Sequence, residues 1–186
     1  MMRMALKAAL CMMILPAAAP GVAAAQAAPT MADRIVNDPR VEALNPYGLA
    51  IPPPIRANKA VQFGKSMRIP LQGHADFWRI GVTTPVLKPV KKGDRIVIAF
   101  WARAAETVGG ALGKIGRVQL EATPVVRAIA EQSFEIGPEW KMYQMKAVAD
   151  RDYAPRQLNA ALHLDAAKQV LELGPVFVLD YGQAGQ

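Results

Sequence analysis

Cysteine is almost absent from this sequence. Cys11 is the only one in 186 residues, and it lies in a segment built like a secretory signal peptide. Residues 1–27 combine a positive start, a short apolar run and a final Ala25-Gln26-Ala27, which fits an A-x-A cleavage site. The apolar run is too short to span a bilayer. We therefore expect a secreted or periplasmic mature protein with no membrane span. Without a thiol it can form no disulfide, cysteine-zinc site or cysteine nucleophile.

Aromatic residues and helical patterns are also scarce. Aromatics make up 6% of the chain, and no segment carries a long apolar stripe at helical spacing. The nearest, residues 123–132, is expected to be strand or loop. Short strand-like segments separated by turn residues predict an all-β sandwich or barrel. These segments are 65–71, 77–84, 95–103, 114–122, 128–136, 140–148, 158–164 and 170–181.

The mature chain has the length of one domain with one core. Residues 28–60 contain many prolines, which fix φ and lack a backbone donor, so we expect an extended lead-in with at most one edge strand. Residues 61–183 then form the β-sandwich.

The strand at 95–103 follows a Gly93-Asp94 turn and has two unlike faces, because side chains alternate along a strand. Its Trp101 and Arg103 point away from an apolar face that can seal a core, made of Ile96, Ile98, Phe100 and Ala102. The same alternation predicts that Gly116, Val118 and Leu120 face the core. It also places Trp78 with Ile80 and Val82, in the core or at its rim.

The outward faces of other predicted strands add further polar groups. If these strands are neighbours, an indole, amides, a carboxylate, an imidazole and guanidinium groups gather on one concave face. Carbohydrate recognition needs this mixture, because a sugar has an apolar C–H face and a rim of hydroxyls that donate and accept. The alternative is a merely solvated sheet face. The candidate binding residues are Trp101, Arg103, Gln119, Glu121, Asn159, His163 and Arg79.

Three short motifs carry a resemblance to a known family. Lys91-Lys92-Gly93-Asp94-Arg95 leads into Phe100-Trp101-Ala102-Arg103, and residues 137–143 and 173–180 follow in the same order as in that family. This succession resembles the carbohydrate-binding modules attached to bacterial cellulases and xylanases, and it covers roughly residues 60–182. The resemblance implies a β-sandwich jelly roll of the galactose-binding-like type.

The resemblance also implies a function. Family ligands are β-glucans, xylans and related polysaccharides, bound without catalysis in a cleft on one sheet, and the cleft positions correspond to Trp101, Arg103, Gln119 and Glu121. Many relatives hold a structural calcium. Asp180 could contribute to such a site, but no clear N-terminal acidic partner accompanies it, so no metal or other cofactor is predicted. Whether the mature protein acts alone or beside a partner glycoside hydrolase is left open.

Other functions fit the residues less well. A glycosidase needs two carboxylates across the scissile bond, and Glu121 has no evident partner. His74 and Asp76 in one turn are too few for a metal site. The mature net charge of +5 is spread out and has no aromatic platform among its lysines, which argues against nucleic acid. The remaining alternative is a periplasmic structural or protein-interaction β-sandwich without a sugar ligand, since a fold does not determine a function.

Overall fold

Two antiparallel five-stranded sheets face one another in the computed structural model, which describes residues 30–183. The segment predicted to be a signal peptide, residues 1–27, lies outside the described residues. The ten strands are β1 Asn45–Tyr47, β2 Ile55–Ala57, β3 Lys65–Gln72, β4 Gly81–Pro85, β5 Arg95–Thr107, β6 Gly113–Ala122, β7 Arg127–Ile136, β8 Lys141–Val148, β9 Leu158–His163 and β10 Lys168–Asp180. One α-helix, α1, and four 3₁₀ helices join them: α1 Met31–Arg34, then Val41–Ala43, Gln62–Gly64, Phe77–Arg79 and Val108–Gly110.

The sheets divide the strands in a way that is not sequential. Sheet A has the order β2-β3-β10-β5-β8, and sheet B has the order β1-β4-β9-β6-β7. All pairings between these strands are antiparallel. The arrangement confirms the predicted all-β sandwich of the jelly-roll type.

The core lies between the two sheets and follows from the period-two pattern. On β5 the predicted apolar face is fully buried, with Ile98 and Phe100 at 0% exposure. Phe100 stacks on Tyr143, with ring centroids 5.6 Å apart, and meets Phe134 edge-on at 5.3 Å. Leu120 of β6 and Leu162 of β9 close the core from the other sheet.

The N-terminal lead-in belongs to the sandwich. It supplies two edge strands, β1 against β4 and β2 against β3, where the proline content predicts at most one. Pro46 sits in β1 at the sheet edge, the position in which a missing N–H is tolerated. Val36, Val41 and Leu44 are buried in the core.

Gly116 is an exception to the predicted pattern of β6. The ladder between β6 and β7 is irregular between Ile115 and Val118, and such a bulge shifts side-chain direction. A Cβ on Gly116 would lie 2.6 Å from the ring of Phe77, so the residue lies under that ring. The prediction that Gly116 faces the core is therefore wrong, whereas Val118 and Leu120 are buried as expected.

No helix within residues 30–183 has the length and apolarity needed to cross a membrane.

Candidate functional site

A groove runs across the outer face of sheet B. It consists of two cavities, of about 430 Å³ and about 710 Å³, which share Phe77 and Arg117 in their walls. The smaller cavity, here the aromatic half, includes Tyr47, Trp78 and His163. The larger cavity, here the polar half, is also lined by His74, Lys114, Glu131, Gln132 and Ser133. The groove therefore changes from ring-lined to charged along its length.

Four of the predicted site residues come together on this face. β6 and β9 are neighbours, and their register sets Glu121 opposite Asn159 and Gln119 opposite Ala161. His163 lies opposite Arg117 in the same ladder. Because directly opposed residues of an antiparallel pair share a face, alternation and register together bring Gln119, Glu121, Asn159 and His163 to the groove side of sheet B.

A directed chain of hydrogen bonds crosses this face. The Gln119 side-chain amide donates to Glu131 Oε2 at 2.8 Å, which leaves its carbonyl oxygen 2.9 Å from His163 Nε2. A carbonyl can only accept, so Nε2 carries the proton, and in the neutral ring Nδ1 accepts from the Tyr47 hydroxyl at 2.6 Å. Arg117 completes the chain by donating to Glu131 at 3.0 Å.

Burial sets the protonation states along this chain. It lowers the pKa of His163, with a further contribution from the charge of Arg117, so the neutral ring is favoured. Burial also raises the pKa of Tyr47 to about 12, and the nearby Glu121 carboxylate adds to the effect. Both groups are therefore neutral at pH 7, which suits uncharged hydroxyl-bearing ligands.

Glu121 is a poorly hydrated carboxyl group in the aromatic half. The residue is only 5% exposed, and burial raises its pKa while a hydrogen bond from Asn159 opposes the rise. It has no ion pair with any residue of the described chain. Such a carboxylate retains unused acceptor capacity directed at the groove.

The aromatic wall comes from the short helix Phe77–Arg79. Phe77 and Trp78 meet edge-to-face, with centroids 5.0 Å apart, and Trp78 is 53% exposed. The prediction that Trp78 lies in the core or at its rim is wrong. It assumed a strand, whereas the helical turn removes the residue from the parity of Ile80 and Val82.

Backbone contacts hold this aromatic turn in place. The Asp165 N–H donates to the Phe77 carbonyl at 3.1 Å, and the buried Asp165 carboxylate accepts from Gly73 N at 2.9 Å. His74 also hydrogen-bonds to that carboxylate. His74 thus anchors a turn, and no cluster of three or more acidic, His or Cys side chains suited to a metal occurs between residues 30 and 183.

Trp101 and Arg103 do not belong to the groove. The expectation that they share a face with Gln119 and His163 is wrong, because β5 lies in sheet A and its outward side points to the opposite surface of the molecule. Trp101 donates its indole N–H to the Gln62 side chain at 2.8 Å. Arg103 donates to Glu172 at 2.8 Å.

Arg79 is also outside the groove wall. It ends the short helix and is exposed. The predicted strand over residues 77–84 begins only at Gly81, so the alternation that placed Arg79 outward beside the other candidates does not apply to it.

Several groove residues escaped prediction. Tyr47 lies in the proline-rich lead-in, which shows no strand periodicity. Phe77 lies on a short helix and Arg117 at the irregular part of β6, and strand alternation predicts the side-chain direction of neither. An aromatic pair directly after a polar turn was the one available signal for Phe77 and Trp78.

The chain is similar in fold to several solved structures. One similar structure is a CBM4 module, with a TM-score of 0.55 and 13% identity over 75% of this chain and 95% of that chain. Another is the second N-terminal cellulose-binding domain of Cellulomonas fimi β-1,4-glucanase C, with a TM-score of 0.54 and 18% identity over 83% and 99% of the two chains. The xylan-binding CBM22-1 domain of Paenibacillus barcinonensis Xyn10C has a TM-score of 0.52 and 14% identity over 81% and 94%.

At these identities the likeness establishes a shared β-sandwich jelly roll. No protein-family model matches the chain. No curated protein matches it either.

Proposed function

We propose that this protein is a non-catalytic carbohydrate-binding domain that binds a polysaccharide or oligosaccharide in the groove of sheet B. The observation that carries the proposal is the half-exposed indole of Trp78 beside a row of hydrogen-bonding groups on one concave surface. The indole face packs against sugar C–H groups, and the polar row serves the hydroxyl rim.

Two features of the polar row support a neutral glycan. His163 and Tyr47 are uncharged at neutral pH, for the reasons given above. Glu131 already accepts from Arg117 and Gln119, so the charges of Glu131 and Arg117 compensate each other. The shared fold adds support, because the similar structures include cellulose-binding and xylan-binding domains.

The chemistry of the groove favours binding over hydrolysis. Arg117 and Gln119 both donate to Glu131, so Glu121 is the one carboxyl group lining the groove, among the described residues, without such partners. A retaining or inverting glycosidase would need two free carboxyl groups on opposite sides of the scissile bond.

The direct test is titration of the mature protein with soluble xylan, β-glucan and their oligosaccharides by isothermal calorimetry. An open, hydrated groove predicts a Kd in the micromolar to millimolar range, about 4–8 kcal/mol. Trp78→Ala should abolish binding. The matched control is Trp101→Ala, which removes an indole from the opposite sheet and should leave affinity unchanged.

Two results would contradict the proposal. One is equal binding by the wild type and Trp78→Ala. The other is absence of binding to any glycan of a broad panel together with capture of a periplasmic protein through the same groove, which would favour the interaction-module alternative.

We also propose that the protein is exported, because residues 1–27 have the composition of a signal peptide. Expression of the full chain followed by cell fractionation tests this proposal. The expected product is a periplasmic or secreted protein whose N-terminus begins at Ala28. A cytoplasmic product that retains Met1 would refute it.

A further inference from the structure

A further cavity lies on sheet A, whereas the groove lies on sheet B. It has a volume of about 650 Å³ and is lined by residues of β5 and β8, by Tyr181 and by Ala130 of β7. We call it the Tyr181 cavity and define it by its lining side chains: Arg95, Val97, Gln144, Lys146, Val148 and Tyr181. Neither Trp78 nor His163 contributes to it.

The charges of this cavity are of one sign. Arg95 and Lys146 line it, and no acidic residue does so within the described part of the chain. Neither cation has a carboxylate within ion-pair distance among residues 30–183. A third cation, Arg34, stands 4.7 Å from the centre of the Tyr181 ring.

Two acidic residues, Asp94 and Asp180, are chain neighbours of lining residues, and both carboxyl groups are engaged elsewhere. Asp180 accepts from Gly182 N at 2.7 Å, and its carboxyl group also interacts with Asp94. Within residues 30–183, the Arg95 guanidinium group makes only long contacts with backbone oxygens, 3.3 Å to Gly182 and 3.4 Å to Tyr181. Its guanidinium group therefore keeps donors for an incoming anion.

The other walls of the cavity are apolar. Val97 belongs to an outer apolar cluster with Leu179 and Tyr181, and Val148 is 58% exposed. Register explains the arrangement, since Val97 lies opposite Lys146 and Arg95 opposite Val148, which interleaves the two cations with the two valines. The volume falls within the range of small-molecule sites.

We propose that the Tyr181 cavity binds a small amphipathic anion, with the acid group between Arg95 and Lys146 and the apolar body against Val97, Val148 and the Tyr181 ring. The ligand class is an organic acid with an aliphatic or aromatic body. The site is independent of the groove, so it stands whether or not the groove binds glycans.

The test uses 8-anilino-1-naphthalenesulfonate, a fluorescent anion with an apolar body, and octanoate as its competitor. The folded mature protein should bind one equivalent saturably, and octanoate should displace it. Lys146→Gln should weaken binding by about threefold to fivefold, the size of a partly exposed ion pair, and Lys146→Glu should weaken it further. The matched control is Lys59→Gln, since that lysine follows β2 at the far edge of sheet A and its replacement changes the net charge equally.

A neutral probe separates charge recognition from simple apolar adsorption. N-phenyl-1-naphthylamine should bind the wild type and Lys146→Gln equally. A further experiment uses vesicles of phosphatidylglycerol. If the protein sediments with the vesicles and octanoate does not release it from them, the partner is a membrane surface and the proposal is overturned. Equal affinity of the sulfonate for the wild type and both Lys146 variants would overturn it as well.

Discussion

The Tyr47 hydroxyl lies 2.6 Å from Nδ1 of His163, and this hydrogen bond ties the edge strand β1 to β9 across the intervening β4. Tyr47 comes from a segment that sequence periodicity left unassigned, and His163 from a strand that periodicity predicted well. Both residues line the aromatic half of the groove.

Tyr47→Phe should therefore destabilise the fold and disturb the groove. Removing the hydroxyl leaves His163 Nδ1 without its donor, and the loss of one partly buried hydrogen bond costs about 1 kcal/mol of unfolding free energy. Urea unfolding measures the change. Tyr181→Phe is the control, because its hydroxyl contacts only the Met31 sulfur, at 3.8 Å, within the described chain. Equal loss in both variants would contradict the assigned role of the Tyr47–His163 bond.

His163 should make stability depend on pH below its ordinary pKa of 6.5. Its pKa in the fold is lowered, so just below pH 6.5 the unfolded chain binds more protons than the folded chain. Its contribution to stability is thus complete above that value and is lost as pH falls. The unfolding free energies measured with urea at pH 7.5 and pH 5.5 should differ less for His163→Gln than for the wild type. An unchanged difference would contradict this prediction.

Glu121 should make the stability of the fold depend on pH in the direction opposite to that of His163. Its pKa is raised above 4.5, so the folded chain holds a proton more tightly, and the resulting stabilisation is lost as pH rises through the folded-state pKa. Glu121→Gln should consequently raise the unfolding free energy more at pH 7 than at pH 4. Glu131→Gln is the matched control, because it removes the negative charge that pairs with Arg117 and should not raise the unfolding free energy. Equal effects at the two pH values would refute the prediction.

Gly116→Ala should displace the aromatic wall. The added methyl group would lie 2.6 Å from the Phe77 ring, and overpacking of this kind costs about 1–3 kcal/mol. Calorimetric titration should also show weaker glycan binding. Gly137→Ala is the matched control, because its Cβ would meet no heavy atom within 4 Å. If both variants behave like the wild type, the close approach of Phe77 to Gly116 is refuted.

Phe100→Ala should be the most damaging of these changes. The ring is fully buried between Phe134 and Tyr143, and truncation of a buried Phe costs about 3–5 kcal/mol. Thermal and urea unfolding measure the loss. Phe63→Ala, at a ring that is more than half exposed, should change stability far less. A loss below about 1 kcal/mol for Phe100→Ala would contradict the central position of this ring.

Alternation along the chain predicted the faces of single strands but not the order of strands. It correctly buried Ile98 and Phe100 and turned Trp101 and Gln119 outward, because that pattern is local. It could not show that β5 and β6, which are consecutive, lie in different sheets. Sheet order depends on pairing between distant segments, and Trp101 and Gln119 consequently point to opposite surfaces.

The errors within the candidate site arose where the backbone leaves regular strand geometry. Trp78 lies on a helical turn and Gly116 lies at a bulge, so the alternation of side chains along a regular strand does not apply to either residue. Gln119, Glu121, Asn159 and His163 were gathered correctly because β6 and β9 are regular over the relevant residues and adjacent in the sheet. Their role in binding remains a prediction.

The turn that carries Trp78 has a mechanical consequence. The segment from Gly73 to this turn follows β3 of sheet A, and Asp165, which follows β9 of sheet B, holds it by accepting from Gly73 N and donating to the Phe77 carbonyl. The indole is therefore fastened to both layers of the sandwich. The position of Trp78 at the groove therefore depends on the alignment of the two sheets, as well as on its own turn.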